Sequence, residues 1–142
     1  MLLVDTNIWL EAADKRARHR DLCRHLLAAR RGKLAITVPT IAETAWILLD
    51  RLGPTAQVNF LRTVSSGQIT VFDLTQADWA RCTELVAMYA SMKLDVIDAS
   101  IMAIAERESL TEIATMNGRD FYAVRPKHAA GFTLVPEGID RY

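Results

Sequence analysis

Leu2-Leu3-Val4-Asp5-Thr6-Asn7 opens the chain with three apolar residues followed at once by a carboxylate. The apolar run predicts a short buried strand, and the amphipathic residues 8–13 predict a helix directly after it. Asp5 therefore falls at the carboxyl end of the first strand. In open parallel sheets, ligands bind beyond the carboxyl ends of the strands, so this position is the first place to look for chemistry.

The rest of the chain continues this alternation of strand and helix. Further short strands are predicted at residues 34–38, 69–72, 113–116 and 132–135. Amphipathic stretches predict helices at residues 18–31, 39–52, 55–64, 75–92 and 95–108. Such alternation implies right-handed crossovers and a parallel sheet covered on both faces. We therefore predict an α/β fold, a three-layer α/β/α sandwich with a central, mostly parallel sheet of four to five strands.

Length and composition are those of a globular protein. The 142 residues are 51% hydrophobic and 24% charged, which suits one domain with a single core, so residues 1–142 are predicted to form one domain. The N-terminus does not resemble a signal peptide, and no apolar run approaches the roughly 20 residues of a membrane span. Cys23 and Cys82 lack metal-ligand spacing. We expect a cytoplasmic protein with reduced thiols and no membrane partner.

The formal net charge is zero, which argues mildly against a nucleic-acid partner. The basic residues are nevertheless unevenly distributed, because residues 15–33 hold 8 of the 17 and only Asp21 opposes them. Such a run is either a solvated helix face or a surface that contacts phosphates. Under the second interpretation, the residues predicted to contact RNA are Arg16, Arg18 and Arg20, with Arg119, Arg125 and Lys127 as a second group.

Three acidic residues, Asp5, Glu43 and Asp98, fall at strand-to-helix junctions or near the first turns of predicted helices. Each has a local explanation. Asp5 can cap a helix, Thr40-x-x-Glu43 fits a capping box, and Asp95-x-x-Asp98 fits a cap followed by an acid that the helix dipole favours. Considered together, however, they lie at positions that meet at one end of a parallel sheet.

Clustered carboxylates repel one another unless a cation is present, and hard divalent ions such as Mg²⁺ and Mn²⁺ prefer oxygen ligands. A metal-bound water is more acidic than bulk water, and the ion also neutralises charge on a phosphoryl oxygen. Hydrolysis of a phosphodiester is the reaction that such a site serves best. The three histidines, His19, His25 and His128, have no paired ligand spacing and offer no competing metal site.

Four short motifs in order resemble those of the PIN-domain ribonucleases, and within them the VapC-type toxins of toxin–antitoxin pairs. These motifs are Val4-Asp5-Thr6-Asn7, Pro39-Thr40-Ile41-Ala42-Glu43, Leu94-Asp95-Val96-Ile97-Asp98-Ala99-Ser100, and Ala114-Thr115-Met116-Asn117-Gly118-Arg119-Asp120-Phe121. The resemblance implies a PIN-like fold over essentially the whole chain.

The resemblance also implies roles for individual residues. Asp5, Glu43 and Asp98 match the acidic residues that hold Mg²⁺ or Mn²⁺, and Thr6 matches a hydroxyl that supports the first aspartate or a water near it. Asn117 occupies the fourth acidic position, where the family usually has aspartate, and Asp120 is near enough in sequence to share that role. We expect Asn117 or Asp120 to orient the metal-bound water. One carboxylate fewer predicts a single tightly held ion.

By resemblance, the protein is an endoribonuclease that leaves a 5′-phosphate and a 3′-hydroxyl on structured RNA such as transfer or ribosomal RNA. Its partners would be a small antitoxin protein and a second copy of the chain. The substitution at Asn117 keeps open an alternative, a catalytically silent PIN-like module that binds RNA or protein. Trp9, Trp46 and Trp79 lie in apolar helical patterns, which predicts core or interface packing rather than base stacking.

Overall fold

The computed structural model describes residues 1–137, so the last five residues of the predicted domain, 138–142, lie outside the described part. The strands are β1 (Leu2–Val4), β2 (Leu34–Thr37), β3 (Ile69–Phe72), β4 (Glu112–Ala114) and β5 (Thr133–Val135). The helices are α1 (Thr6–Ala13), α2 (Arg20–Ala29), α3 (Val38–Leu52), α4 (Pro54–Ser65), α5 (Gln76–Met88), α6 (Val96–Glu108) and α7 (Gly118–Ala123). A 3₁₀ turn covers Ala90–Met92.

The five strands form one sheet in the order β3-β2-β1-β4-β5, and every pairing is parallel. This confirms the predicted α/β class and the count of four to five strands. β1 lies at the centre between β2 and β4. The carboxyl ends of these three strands consequently lie side by side at one edge of the sheet.

Alternate side chains of the buried strands pack into two separate cores. Leu3 of β1 packs with residues of α5, α6 and α7 on one face of the sheet, whereas Leu2 and Val4 pack with residues of α1, α2, α3 and α4 on the other. This is the period-two alternation of a strand that is buried on both faces. The three layers of the predicted sandwich follow from it.

The helices differ from prediction mainly around α5 and α7. The helix predicted over 75–92 ends at Met88, after which the 3₁₀ turn and the left-handed Lys93 (φ 56°) redirect the chain into α6. Hydrogen bonds within the 3₁₀ turn take the place of the α-helical hydrogen bonds that the predicted helix would make over its last residues. α7 was not predicted, because its six residues are too few to establish a helical period.

The three tryptophans do not share one environment. Trp9 is buried and packs edge-on against Phe60 with ring centroids 5.6 Å apart, as the core interpretation predicts. Trp46 and Trp79 are 66% and 46% exposed, so core packing is wrong for both, and packing in an interface stays a prediction for them. No helix among residues 1–137 combines the length and the apolar character that a bilayer crossing requires.

Candidate active site

Acidic side chains reach the carboxyl edge of the sheet from the centre and from both covering layers. Asp5 directly follows the central strand β1 and is the N-cap of α1. Asp98 is the third residue of α6, on one face of the sheet, while Glu43 lies in the second turn of α3, on the other face. The sandwich thus brings together residues that are far apart in the sequence.

Both carboxylate oxygens of Asp5 accept hydrogen bonds. Oδ1 accepts one from the backbone N–H of Thr6 over 2.8 Å, and Oδ2 accepts one from the hydroxyl of Thr115 over 2.7 Å. Thr115 directly follows β4, which pairs with β1, and the backbone N–H of Asp5 donates to the carbonyl of Ala114. These contacts fix the orientation of a side chain that is only 4% exposed.

Thr115 is a site residue that the sequence interpretation missed. The only signal was its place within the fourth motif, directly after a predicted strand. The predicted support from Thr6 takes a different form in the structure. The Thr6 backbone holds Asp5, whereas the Thr6 hydroxyl is buried and makes no hydrogen bond within residues 1–137.

Asn117 joins two of the acidic side chains through its carboxamide. Its Nδ2 donates to Asp98 Oδ2 over 3.0 Å and to Asp120 Oδ2 over 3.1 Å. Its backbone N–H donates to the hydroxyl of Thr115 over 2.9 Å, which connects this pair to Asp5. Asp5, Thr115, Asn117, Asp98 and Asp120 therefore form one continuous hydrogen-bonded group.

Burial and mutual repulsion shift the ionisation of the two central aspartates. The pKa of Asp98 is raised to about 9, first by burial and then by the negative charges of Asp5, Asp95 and Asp120. Burial raises the pKa of Asp5 to about 6, although the hydrogen bonds from Thr115 and Thr6 oppose that rise. Both shifts have the sign expected of carboxylates crowded in a site of low polarity.

Glu43 contributes to the same electrostatic field, because its charge is among those that raise the pKa of Asp5. Its side chain makes no hydrogen bond within residues 1–137, and the capping-box explanation is wrong. The N-cap of α3 is Thr37, whose hydroxyl accepts from the backbone N–H of Thr40, while Thr40 itself is fully buried. Glu43 thus has no local role in helix capping.

Asp95 also belongs to this field, since its charge raises the pKa of both Asp5 and Asp98. Its side chain accepts the backbone N–H of Asp98 over 2.9 Å and so caps α6, as the sequence suggested. By fixing the first turn of α6, Asp95 also fixes the position of Asp98.

The donor set suits a hard divalent cation in its chemistry. Several carboxylates and a carboxamide crowd one sheet edge, and within residues 1–137 Arg119 is the one basic side chain that donates a hydrogen bond to them. Within residues 1–137, however, no three Asp, Glu, His or Cys side chains are already arranged to coordinate a common ion. Mg²⁺ keeps several of its waters and is usually held by one or two carboxylates, so the arrangement fits a largely hydrated ion.

One of the predicted RNA-contacting residues, Arg119, contacts the acidic group directly. Arg119 adjoins the site, since its Nε donates to Asp120 Oδ1 over 3.2 Å and its Nη2 to the carbonyl of Met92 over 2.9 Å, and its side chain is 71% exposed. The ammonium of Lys127 lies 3.7 Å from Glu84, and Arg20 lies 3.7 Å from Asp21. The three remaining residues are exposed and outside the hydrogen-bonded group, namely Arg16, Arg18 and Arg125.

The fold and the acidic edge define a known class of protein. The family model of the PIN domain matches residues 2–126. The chain therefore belongs to the PIN domain family.

Named relatives agree with this assignment. Ribonuclease VapC26 of Mycobacterium tuberculosis is 22% identical over 135 residues, which cover 95% of this chain and all of that protein. The crystal structure of Mycobacterium tuberculosis VapC20, a toxin that cleaves the sarcin–ricin loop, matches with a TM-score of 0.80 at 17% identity, covering 87% of this chain and 95% of the other. DNA-bound VapBC from Salmonella typhimurium matches with a TM-score of 0.68 at 18% identity, covering 94% and 95% of the two chains.

Proposed function

We propose that this protein is a cytoplasmic, Mg²⁺- or Mn²⁺-dependent endoribonuclease and the toxin of a VapBC-type pair. The observation that carries the proposal is the convergence of Asp5, Asp98 and Asp120 in one hydrogen-bonded group, with Glu43 close enough to raise the pKa of Asp5. Raised carboxylate pKa values at a sheet edge are a mark of functional sites, because stability alone would not favour such crowding.

Asp5, Glu43 and Asp98 are the proposed metal ligands. Thr115 orients Asp5 through the hydrogen bond to Oδ2, and Asn117 holds Asp98 and Asp120 at a fixed separation. When bound, the divalent ion would supply a more acidic water and would neutralise charge on a phosphoryl oxygen. Asp120 is then the carboxylate placed to accept a proton from the attacking water, while Arg119 faces solvent beside it and can contact the RNA backbone.

Asn117 contributes no charge, so we propose one tightly held ion rather than two. The carboxamide already donates to both neighbouring carboxylates, which leaves Asp98 and Asp120 with fewer lone pairs for a second cation.

The substrate and partners are proposed from the relatives. VapC20 cleaves the sarcin–ricin loop, which supports a structured RNA as the substrate class here. Several similar solved structures are toxin–antitoxin complexes, including one from Klebsiella pneumoniae at 24% identity and a TM-score of 0.68. We therefore propose an antitoxin partner, with the exposed Trp46 and Leu49 of α3 in its interface, and a homodimer.

The test is cleavage of transfer and ribosomal RNA by purified protein in Mn²⁺, with D98N and D5A as the inactive variants and D50N as the control. Asp50 is exposed on α3 and outside the hydrogen-bonded group. We expect D50N to match the parent and both site variants to lose at least about 100-fold in rate. Products of the parent should carry 5′-phosphates. Full activity of both site variants would contradict the proposal.

The same assay distinguishes the nuclease from the alternative, a catalytically silent PIN-like module. Gel-shift binding of RNA by the parent without cleavage in either Mg²⁺ or Mn²⁺ would favour that module over a nuclease.

A further inference from the structure

A crevice between α1 and α3 lies directly beside the carboxylates. It encloses about 330 Å³ and is lined by Asn7, Leu10, Glu11, Arg51, Met116 and Asn117. This volume is at the lower end of the roughly 300–1,000 Å³ found for sites that hold small ligands. The α1–α3 crevice therefore has room for one base-sized group and not for a nucleic-acid helix.

The crevice begins at the proposed metal site and runs outward along two helices. Asn7, Leu10 and Glu11 are spaced i, i+3 and i+4, so they lie on one face of α1. Arg51 lies eight residues beyond Glu43 in α3, about 12 Å further along the helix axis. A chain that has one phosphate at the carboxylates can therefore place a neighbouring nucleotide in the crevice.

Hydrogen-bonding groups in the crevice are only half used by the protein. Asn7 Oδ1 accepts from the backbone N–H of Met116 over 3.0 Å, and Asn117 Nδ2 donates to Asp98 and Asp120. Within residues 1–137, Asn7 Nδ2 and Asn117 Oδ1 make no hydrogen bond. Glu11 Oε2 accepts from the backbone N–H of His19 over 2.9 Å, while Oε1 accepts nothing from these residues.

The unused atoms are thus one donor and two acceptors, set between the apolar side chains of Leu10 and Met116. A nucleobase has this combination of apolar faces and a polar edge. Adenine, cytosine and guanine each carry an exocyclic amino group that can donate to a carboxylate or carbonyl oxygen. Uracil has no such group, and its one ring donor on this edge, N3–H, lies between two carbonyl oxygens that would repel the carboxylate of Glu11.

We propose that the α1–α3 crevice binds one unpaired RNA base that carries an exocyclic amino group, next to the cleaved phosphodiester. This proposal rests on the proposed nuclease function, since it assigns the crevice to the same substrate. Proteins read RNA sequence mainly through unpaired bases, which they stack on side chains and bind at their edges. Arg51 is exposed and has no ion pair within residues 1–137. In this proposal its guanidinium binds the phosphate of the bound nucleotide.

The experiment uses an RNA hairpin library with a randomised loop, cleaved in Mn²⁺ and sequenced at the new 5′ ends. Parent protein should show at least about threefold depletion of uracil at one fixed position near the cut. E11Q keeps an acceptor oxygen but adds an amide donor, so it should accept uracil at that position. R51A should raise KM by about fivefold or more with kcat little changed, because it removes a phosphate contact remote from the reacting atoms.

Two exposed residues outside the crevice provide matched controls, D50N for the loss of a carboxylate and R62A for the loss of a helical arginine. Mn²⁺ titration of every variant tests whether the metal site is intact. Cleavage by the parent with no base preference at any position, or E11Q and R51A profiles equal to those of D50N and R62A, would overturn the crevice proposal. Weaker antitoxin binding by these variants with an unchanged cleavage profile would overturn it too. Absence of cleavage by the parent would instead contradict the nuclease function itself.

Discussion

The carboxamide of Asn117 donates a hydrogen bond to the carboxylate of Asp98 over 3.0 Å, at the position where the resemblance to PIN-domain ribonucleases predicts a further acid. An aspartate at 117 would face the two carboxylates of Asp98 and Asp120 without this donor. Asn117 therefore relieves repulsion in the metal-free protein and reduces the charge available to bind cations.

The variant N117D tests how the residue at this position affects metal binding and stability. We expect the variant to bind Mn²⁺ about tenfold more tightly or to bind a second ion, because neighbours of a metal site alter affinity by roughly 10–100-fold. Its metal-free form should unfold at lower temperature than the parent, since a fourth carboxylate joins the group of Asp5, Asp98 and Asp120. Calorimetric titration measures affinity and stoichiometry, with N59D on α4 as an exposed control. Identical binding curves for parent and N117D would show that residue 117 does not influence the ion.

The pKa shifts predict how the metal-free protein responds to pH. Aspartate in an unfolded chain titrates near 3.9, whereas in the fold the pKa is raised to about 6 for Asp5 and to about 9 for Asp98. Protonation of these groups therefore stabilises the fold fully below about pH 4, and this stabilisation is lost as the pH rises through the folded-state values.

In EDTA, the melting temperature of the parent should consequently fall between pH 5.5 and 9. D98N should fall less and should melt at least about 3 °C above the parent at pH 8, because each kcal/mol shifts the Tm of a domain this size by roughly 3 °C. Mn²⁺ should abolish the decline in the parent. Thermal scans across the range provide the measurement, with D50N as control. If the melting temperature of D98N fell as steeply with pH as that of the parent, Asp98 would not be the source of the pH dependence.

Thr115 is expected to act on the metal through Asp5. T115V removes the donor to Asp5 Oδ2 and also the acceptor for the backbone N–H of Asn117, so we predict a loss of Mn²⁺ affinity of about 10–100-fold. T115S retains the hydroxyl and should restore binding. Parent-like Mn²⁺ affinity in a folded T115V would show that the hydroxyl does not act on the metal.

The sequence predicted the sheet and the positions of Asp5, Glu43 and Asp98 because strand periodicity and the carboxyl-edge rule are local and general. Thr115 could not be predicted, since its contact with Asp5 spans 110 residues and depends on β4 pairing directly with β1. The donor role of Asn117 depends on where the short helix α7 places Asp120. Helical periodicity placed Trp46 in an apolar pattern, but a periodic pattern does not show whether another part of the chain covers the side chain.

The central claim is that Asp5, Glu43 and Asp98 share one divalent ion, and anomalous diffraction from a crystal soaked in Mn²⁺ tests it most directly. We predict a single strong peak at the carboxyl edge of the sheet, at coordination distance (roughly 2.0–2.2 Å) from oxygens of at least one of these residues and joined to the others directly or through a water. A strong peak elsewhere on the surface, with none at this edge under saturating Mn²⁺, would contradict the account.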